Sequence, residues 1–348
     1  MSTSLKNSGN INYLWHNMKA VLIFTVVLGH FLETFPLNNI FASALDYWIY
    51  TFHMPAFLFI SGYLSKSFCQ NSRVRAEKIT YYLSYYLVFQ IIFFLLICLT
   101  DPGKDFSLFN PNIGLWYLIS LAAYYAIIPL AEKVPPYIVM GILVFLGLMI
   151  GTEKEAGTLL TVSRTFVFAP FFFAGYYLPE KLLTKLQNFR LHILTGILCG
   201  LVSVAIWGSI VMIYSKHTLP MQVFYGKANY ESMGFSDLKG ISLRVIAWII
   251  SFLMVVSVLL LTTQKKTFFS YLGERSLQIY LFHFPLIILF KKTDITDAFP
   301  INNILHCIVL ILGAIAFTFI LSIKPLSYPF LWIKMLVDKC FVKFKGDK

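Results

Sequence analysis

Three ionisable side chains stand in one apolar run, "MKAVLIFTVVLGHFLETF" (residues 18–35): Lys19, His30 and Glu33. Such groups are costly inside a bilayer and rare there unless they pair or line a cavity. An imidazole titrates near neutral pH, so it can take a proton from a hydroxyl or carry an acyl group as a nucleophile. Lys19 and His30 are eleven residues apart. At about 100° per residue that is three turns plus roughly 20°, so one helical face carries both, about 16 Å apart. This spacing predicts Lys19 at the mouth of a membrane span and His30 half-way along it. Glu33 follows one turn on, within about 60° of that face, where it can pair with the imidazole and raise its basicity. The plainer alternative is a histidine bonded to a neighbouring helix.

Further polar residues interrupt other apolar runs. His53 lies in "YTFHMPAFLFISGYL", with Ser61 and Gly62 lower on the same run as a small-residue pair that allows close packing. Trp116 and Tyr117 open "GLWYLISL", and Arg164 opens "TVSRTFVFAPFFFAGYYL". Tyr280 and His283 lie in "LGERSLQIYLFHFPL", and His306 is read as structural. Trp116 and Tyr117 equally suit an interfacial aromatic belt, and Arg164 equally suits snorkelling to headgroups. The segment "KSFCQNSRVRAEK" holds Lys66, Arg73, Arg75 and Lys78. It reads either as a positive anchor on the inner face or as a phosphate site, since clustered arginines hold phosphate bidentately. A cationic mouth leading to a buried histidine suits a long, phosphate-headed donor such as coenzyme A on its pantetheine arm. No metal site and no permanently bound cofactor is expected.

These residues need a membrane scaffold to position them. The 348-residue chain is 58% hydrophobic, 17% aromatic and only 13% charged, with mean hydropathy +0.74. That balance defines an integral membrane protein, so the net charge of +12 reflects cytoplasmic loops rather than nucleic-acid binding. Ten apolar runs are long enough to count as spans, at about 18–36, 47–64, 80–99, 113–131, 136–151, 160–178, 191–214, 241–263, 276–291 and 301–323. Without period-2 alternation they are helices, giving an all-α polytopic fold. The "ASA" at 42–44 mimics a signal-peptidase site, but the first run reads as an uncleaved span. Most Lys and Arg fall in one set of loops, which places both termini in the cytoplasm. The expected divisions are a cytoplasmic leader (1–17), a transmembrane domain (18–323) and a basic cytoplasmic tail (324–348). The five cysteines show no CxxC pair and are expected to be reduced. "PAFLFISGYL" and "PFFFAGYYL" share a phrase that hints at an internal repeat. Ten spans with buried charge would also serve a transporter or flippase for a polysaccharide precursor.

The first span, with Lys19 and His30 in "KAVLIFTVVLGHF", resembles the integral-membrane acyltransferase 3 family and its basic-x10-His signature. "FHMPAFLFISGYL", "GLWYLISL", "SRTFVFAPFFFAGYYL" and "LGERSLQIYLFHFPL" look like its fucose 4-O-acetylase-like branch, with the likeness running from about residue 12 to 325. The resemblance implies transfer of an acetyl group from cytoplasmic acetyl-CoA to a sugar hydroxyl of a surface glycan or its lipid-linked precursor, in a bacterial cytoplasmic membrane. It implies His30 as the essential histidine and Lys19 as its basic partner. With the residues read above, Glu33 is expected to hold the His30 tautomer as its catalytic partner, and Lys19, Arg73, Arg75 and Lys78 to bind the donor. On the same reading of the residues, His53, Trp116 and Arg164 are expected to meet the acceptor, with Ser61, Tyr280 and His283 completing the pocket. The chain departs from the family pattern at His16, where an Asp is common, and at Arg75 and Lys78, which stand for an Arg-x-x-Arg pair.

Overall fold

The structure, a computed structural model, describes residues 13–346 apart from 71–72, 75, 100, 102, 104, 158, 189–190, 215–220 and 292–294. Its helices begin with α1 (Leu14–Leu32), α2 (Ile40–Leu64), α3 (Glu77–Cys98), α4 (Trp116–Ala131) and α5 (Pro136–Met149). They continue with α6 (Val162–Tyr177), α7 (Glu180–Asn188), α8 (His192–Tyr214), α9 (Gln222–Tyr225) and α10 (Asp237–Leu261). The last are α11 (Ser270–Glu274), α12 (Ser276–Phe290), α13 (Ile295–Ala298), α14 (Ile304–Leu321) and α15 (Tyr328–Gly346). A two-residue antiparallel hairpin pairs Cys69 with Val74 and Gln70 with Arg73. Each of the ten apolar runs overlaps one helix: α1 to α6, α8, α10, α12 and α14. Five of these, α1, α3, α8, α10 and α14, are long and apolar enough to cross a membrane, and α4, α5 and α12 are apolar but shorter.

Two boundaries differ from the sequence expectation, with consequences for the site. α1 begins at Leu14, inside the expected leader, because Leu14, Trp15, Asn17 and Met18 are all buried. It ends at Leu32, with Glu33 as its C-cap and Pro36 three residues on. His30 therefore occupies the last turn of α1 and not its middle. In the expected tail, α15 lies along α3, where Phe330 stacks on Phe89 with ring centres 6.0 Å apart.

α1 is the central helix. It packs against α2, α11, α12 and α14, and 67% of its apolar window is buried, against 11% for α8. Its start is anchored by Asn17, which donates to the Thr263 and Lys265 carbonyls and accepts from Thr267 and Ser270. α2 and α6 form the most extensively packed pair. A Cβ at Gly62 would overlap the carbonyl of Phe172, and one at Gly175 would overlap the carbonyl of Phe59. The two related sequence phrases thus lie face to face in a reciprocal small-residue crossing, which brings the backbones into contact. Pro55 in α2 cannot donate to the Thr51 carbonyl, and the Ser251 hydroxyl of α10 takes that freed acceptor. This bond ties α10 to α2 beside the histidines.

Candidate active site

The site lies at the end of the bundle where α1 stops and α4 and α6 begin. A carboxylate can only accept, so the 3.1 Å contact between His30 Nδ1 and Glu33 Oε2 puts the proton on Nδ1. His30 Nε2 is thereby left with its lone pair. The Tyr50 oxygen also lies 3.1 Å from His30 Nδ1, and its hydroxyl donates to Glu33. Tyr225, on short α9, donates to the other carboxylate oxygen at 3.4 Å. Burial, followed by the charges of Glu33 and Asp46, pushes the Tyr225 hydroxyl up, so it remains a donor at neutral pH. The His30 and Glu33 side chains stay 20% and 35% exposed, open enough to meet a substrate.

Two more imidazoles border this pair. His283 stacks on His30 with centres 5.3 Å apart, and Phe284 lies 4.9 Å from it. His53 sits behind Tyr50, whose ring meets it edge-on at 4.8 Å. Both place Nδ1 near the carbonyl one turn back, Ile279 for His283 (3.2 Å) and Ile49 for His53 (2.8 Å). A carbonyl can only accept, so Nδ1 carries the proton in each ring.

Arg164, in the first turn of α6, donates from Nε to the Tyr225 carbonyl at 3.2 Å and lies 5.1 Å over the Trp116 ring. Trp116 stacks in turn on Phe168 at 5.3 Å. The structure therefore links His30, Glu33, His53, His283, Trp116 and Arg164 into one cluster, through Tyr50 and Tyr225. Ser61 and Tyr280 belong to the wall below: Ser61 bonds the Tyr117 hydroxyl at 2.8 Å, Tyr117 meets Tyr280 at 5.5 Å, and Tyr280 donates to the Gly114 carbonyl. Ser65 continues this line of hydroxyls by donating to Tyr125 at 2.8 Å.

The expected donor-binding cations are at the opposite end. Lys19 lies within electrostatic range of Glu274 and His16. Lys66 stands 3.8 Å over the Tyr63 ring and donates to the Leu178 carbonyl. Burial lowers its pKa against the opposing pull of Glu180. Lys78 is 5.4 Å over the Tyr125 ring, at the foot of the hydroxyl line. Arg73 is in the hairpin, its side chain outside the described residues, as is all of Arg75.

Sequence reasoning missed Tyr50, Tyr225 and Asp46. Asp46, Tyr50 and His53 recur at i, i+4 and i+7 on one face of α2, a signal that spacing could have supplied. Asp46 is 5% exposed and its Oδ1 has no partner.

Helices able to span a bilayer, with an imidazole–carboxylate pair at one end, define a multi-pass membrane protein with a paired imidazole among its helices. A family model described as an acyltransferase domain matches residues 12–323. The chain belongs to the acyltransferase 3 family, and the match favours acyl transfer over transport. No curated protein and no solved structure matches the chain.

Proposed function

We propose that the protein is an O-acetyltransferase of the fucose 4-O-acetylase-like branch. It moves an acetyl group from cytoplasmic acetyl-CoA to a sugar hydroxyl of a cell-surface glycan or its lipid-linked precursor. The observation that carries this reading is His30, held by Glu33 as the Nδ1–H tautomer with Nε2 free and the ring partly open. Nε2 takes the proton of the sugar hydroxyl as the hydroxyl oxygen attacks the thioester carbonyl carbon. The C–S bond breaks, and the proton passes to the departing thiolate. The same nitrogen could instead attack first and carry the acetyl group. Glu33 stabilises the imidazolium in the first route, and Arg164 supplies positive charge near the developing oxyanion.

Lys19, Arg73, Arg75 and Lys78 would receive the donor's phosphates, with the line of hydroxyls from Tyr125 through Ser65, Ser61 and Tyr117 available to the amides of the pantetheine arm. His53, Trp116 and Arg164 would border the acceptor, and Tyr280 and His283 the reacting end of the donor. This arrangement goes with ten spans, both termini in the cytoplasm and a bacterial cytoplasmic membrane. The test is glycan NMR on cells carrying the wild-type protein or His30→Ala. Loss of the O-acetyl signal is expected, by a factor of about 10² or more, and an undiminished signal sinks the reading. Labelled acetyl-CoA given without acceptor separates the two routes, since only the second leaves label on the protein.

A further inference from the structure

His283, in the middle of α12, is fully enclosed, and its Nε2 has no hydrogen-bond partner. Nδ1 donates to the Ile279 carbonyl at 3.2 Å, so Nε2 carries a lone pair that nothing meets. The Phe284 ring backs the imidazole at 3.9 Å and the Tyr280 ring at 6.0 Å. Both neighbours are themselves fixed. A Cβ at Gly114 would overlap Phe284, and Tyr280 donates to the Gly114 carbonyl. Held in this way, the ring lies along His30, with centres 5.3 Å apart and planes 30° from parallel.

A buried acceptor without a donor costs free energy and is rare. A second proton would not repair this one. An imidazolium at 283 would be an enclosed charge, and Glu33 pairs with His30 instead. His283 therefore serves as a neutral imidazole, with Nε2 the negative end of its dipole. Such a lone pair suits a positive charge that exists for only part of the cycle. Both routes to transfer build one on the adjacent ring. His30 becomes an imidazolium when its Nε2 takes the hydroxyl proton, and an acyl-imidazolium when that nitrogen attacks the thioester carbon and the thiolate leaves. Glu33 meets the charge at Nδ1, in the plane of the ring, and His283 meets it on the face. His53 is placed differently, since its link to His30 runs through Tyr50.

We propose that His283 is a positioning residue of the transferase: its fixed neutral ring stacks on His30 and stabilises the positive charge that builds there during transfer. Ring and lone pair are in place before the charge appears, so no reorganisation is needed at the moment of reaction. His283 gains and loses no proton in either route. The proposal rests on the acetyltransferase reading.

The experiment follows label from radiolabelled acetyl-CoA into glycan, in isolated membranes carrying the full-length protein. His283→Phe keeps a stacked ring and removes the lone pair, so kcat is expected to fall about tenfold with the KM for acetyl-CoA unchanged. His283→Gly removes the ring as well, with an expected fall of about 100-fold. Added imidazole should restore the Gly variant about tenfold. Pyrrole has the same ring size and an N–H but no lone pair in its plane, and it should not. A His283→Phe kcat equal to wild type would make His283 a packing residue and overturn the proposal. So would failure of imidazole to exceed pyrrole, or a rise in KM at constant kcat, which would mark a binding group. Where His283→Phe does not fold, the Gly variant and its two additives decide alone. His30→Ala checks the acetyltransferase reading separately: if it is inactive while His283→Phe is fast, this proposal alone has failed.

Discussion

The two ends of α1 treat their ionisable groups differently. At its C-terminal end Glu33 is met by three donors from three segments, His30 on α1, Tyr50 on α2 and Tyr225 on α9. At its N-terminal end Lys66 and Lys78 lie against the neutral faces of Tyr63 and Tyr125. A carboxylate with its lone pairs engaged is fixed in place and can hold a ring to one tautomer. A cation on an aromatic face keeps its charge, which can still attract an incoming anion. On the proposed reading one end orients and the other receives, and that contrast is what the following variants address.

Glu33→Gln breaks the orienting end. The amide keeps the shape of the side chain but removes the charge that opposes the His30 imidazolium. A charge-assisted bond is worth about 1.5–3 kcal/mol, so acetyl transfer at saturating acetyl-CoA should fall about 10- to 100-fold. The rate is measured in isolated membranes, with the KM for acetyl-CoA little changed. A variant as fast as wild type would show that Glu33 is only a helix cap.

Lys78→Gln addresses the receiving end and should give the opposite signature. Loss of one proposed phosphate contact, about 1 kcal/mol, should raise the KM for acetyl-CoA about fivefold with kcat unchanged, the pattern of lost uniform binding. A fall in kcat at constant KM would remove Lys78 from donor binding and dissolve the contrast between the ends.

The line on α1 was legible because helical period and an apolar background make Lys19, His30 and Glu33 conspicuous. The His30–Glu33 pairing is local, at i and i+3, and the structure has it at 3.1 Å. Depth along the helix was not legible. His30 reads as midway only if α1 runs on to residue 36, and the turn at Glu33 and Pro36 ends it earlier. Tyr50 was hidden by composition, since one tyrosine among 20, beside 34 phenylalanines, carries no signal of its own. Tyr225 was hidden by topology, as it lies 192 residues from the Glu33 it touches. Arg244 was visible as a charge within the 241–263 run, but its lack of a hydrogen-bond partner is a property of the packed bundle. The reciprocal contacts of Gly62 and Gly175 explain why two similar phrases recur: each supplies the small residue that the other's backbone needs.

Tyr225→Phe should have the smallest effect, and it tests how far the orienting end depends on its cover. The lost bond to Glu33 is long, at 3.4 Å, and two other donors remain on that carboxylate. The phenyl ring would keep its edge-on contact with Tyr50 at 4.8 Å, and the backbone carbonyl that Arg164 uses is untouched. A neutral hydrogen bond contributes about 0.5–1.5 kcal/mol, and one this long belongs in the lower part of that range, about 0.5–1 kcal/mol, which puts the expected loss in kcat/KM at about 2- to 5-fold. The hydroxyl already stays protonated at neutral pH, so the variant should leave the pH profile of transfer unmoved. A loss as large as that of Glu33→Gln would mean that the 221–236 segment, and not α1 and α2 alone, sets the His30 ring, making the orienting end a product of the cover as much as of the bundle.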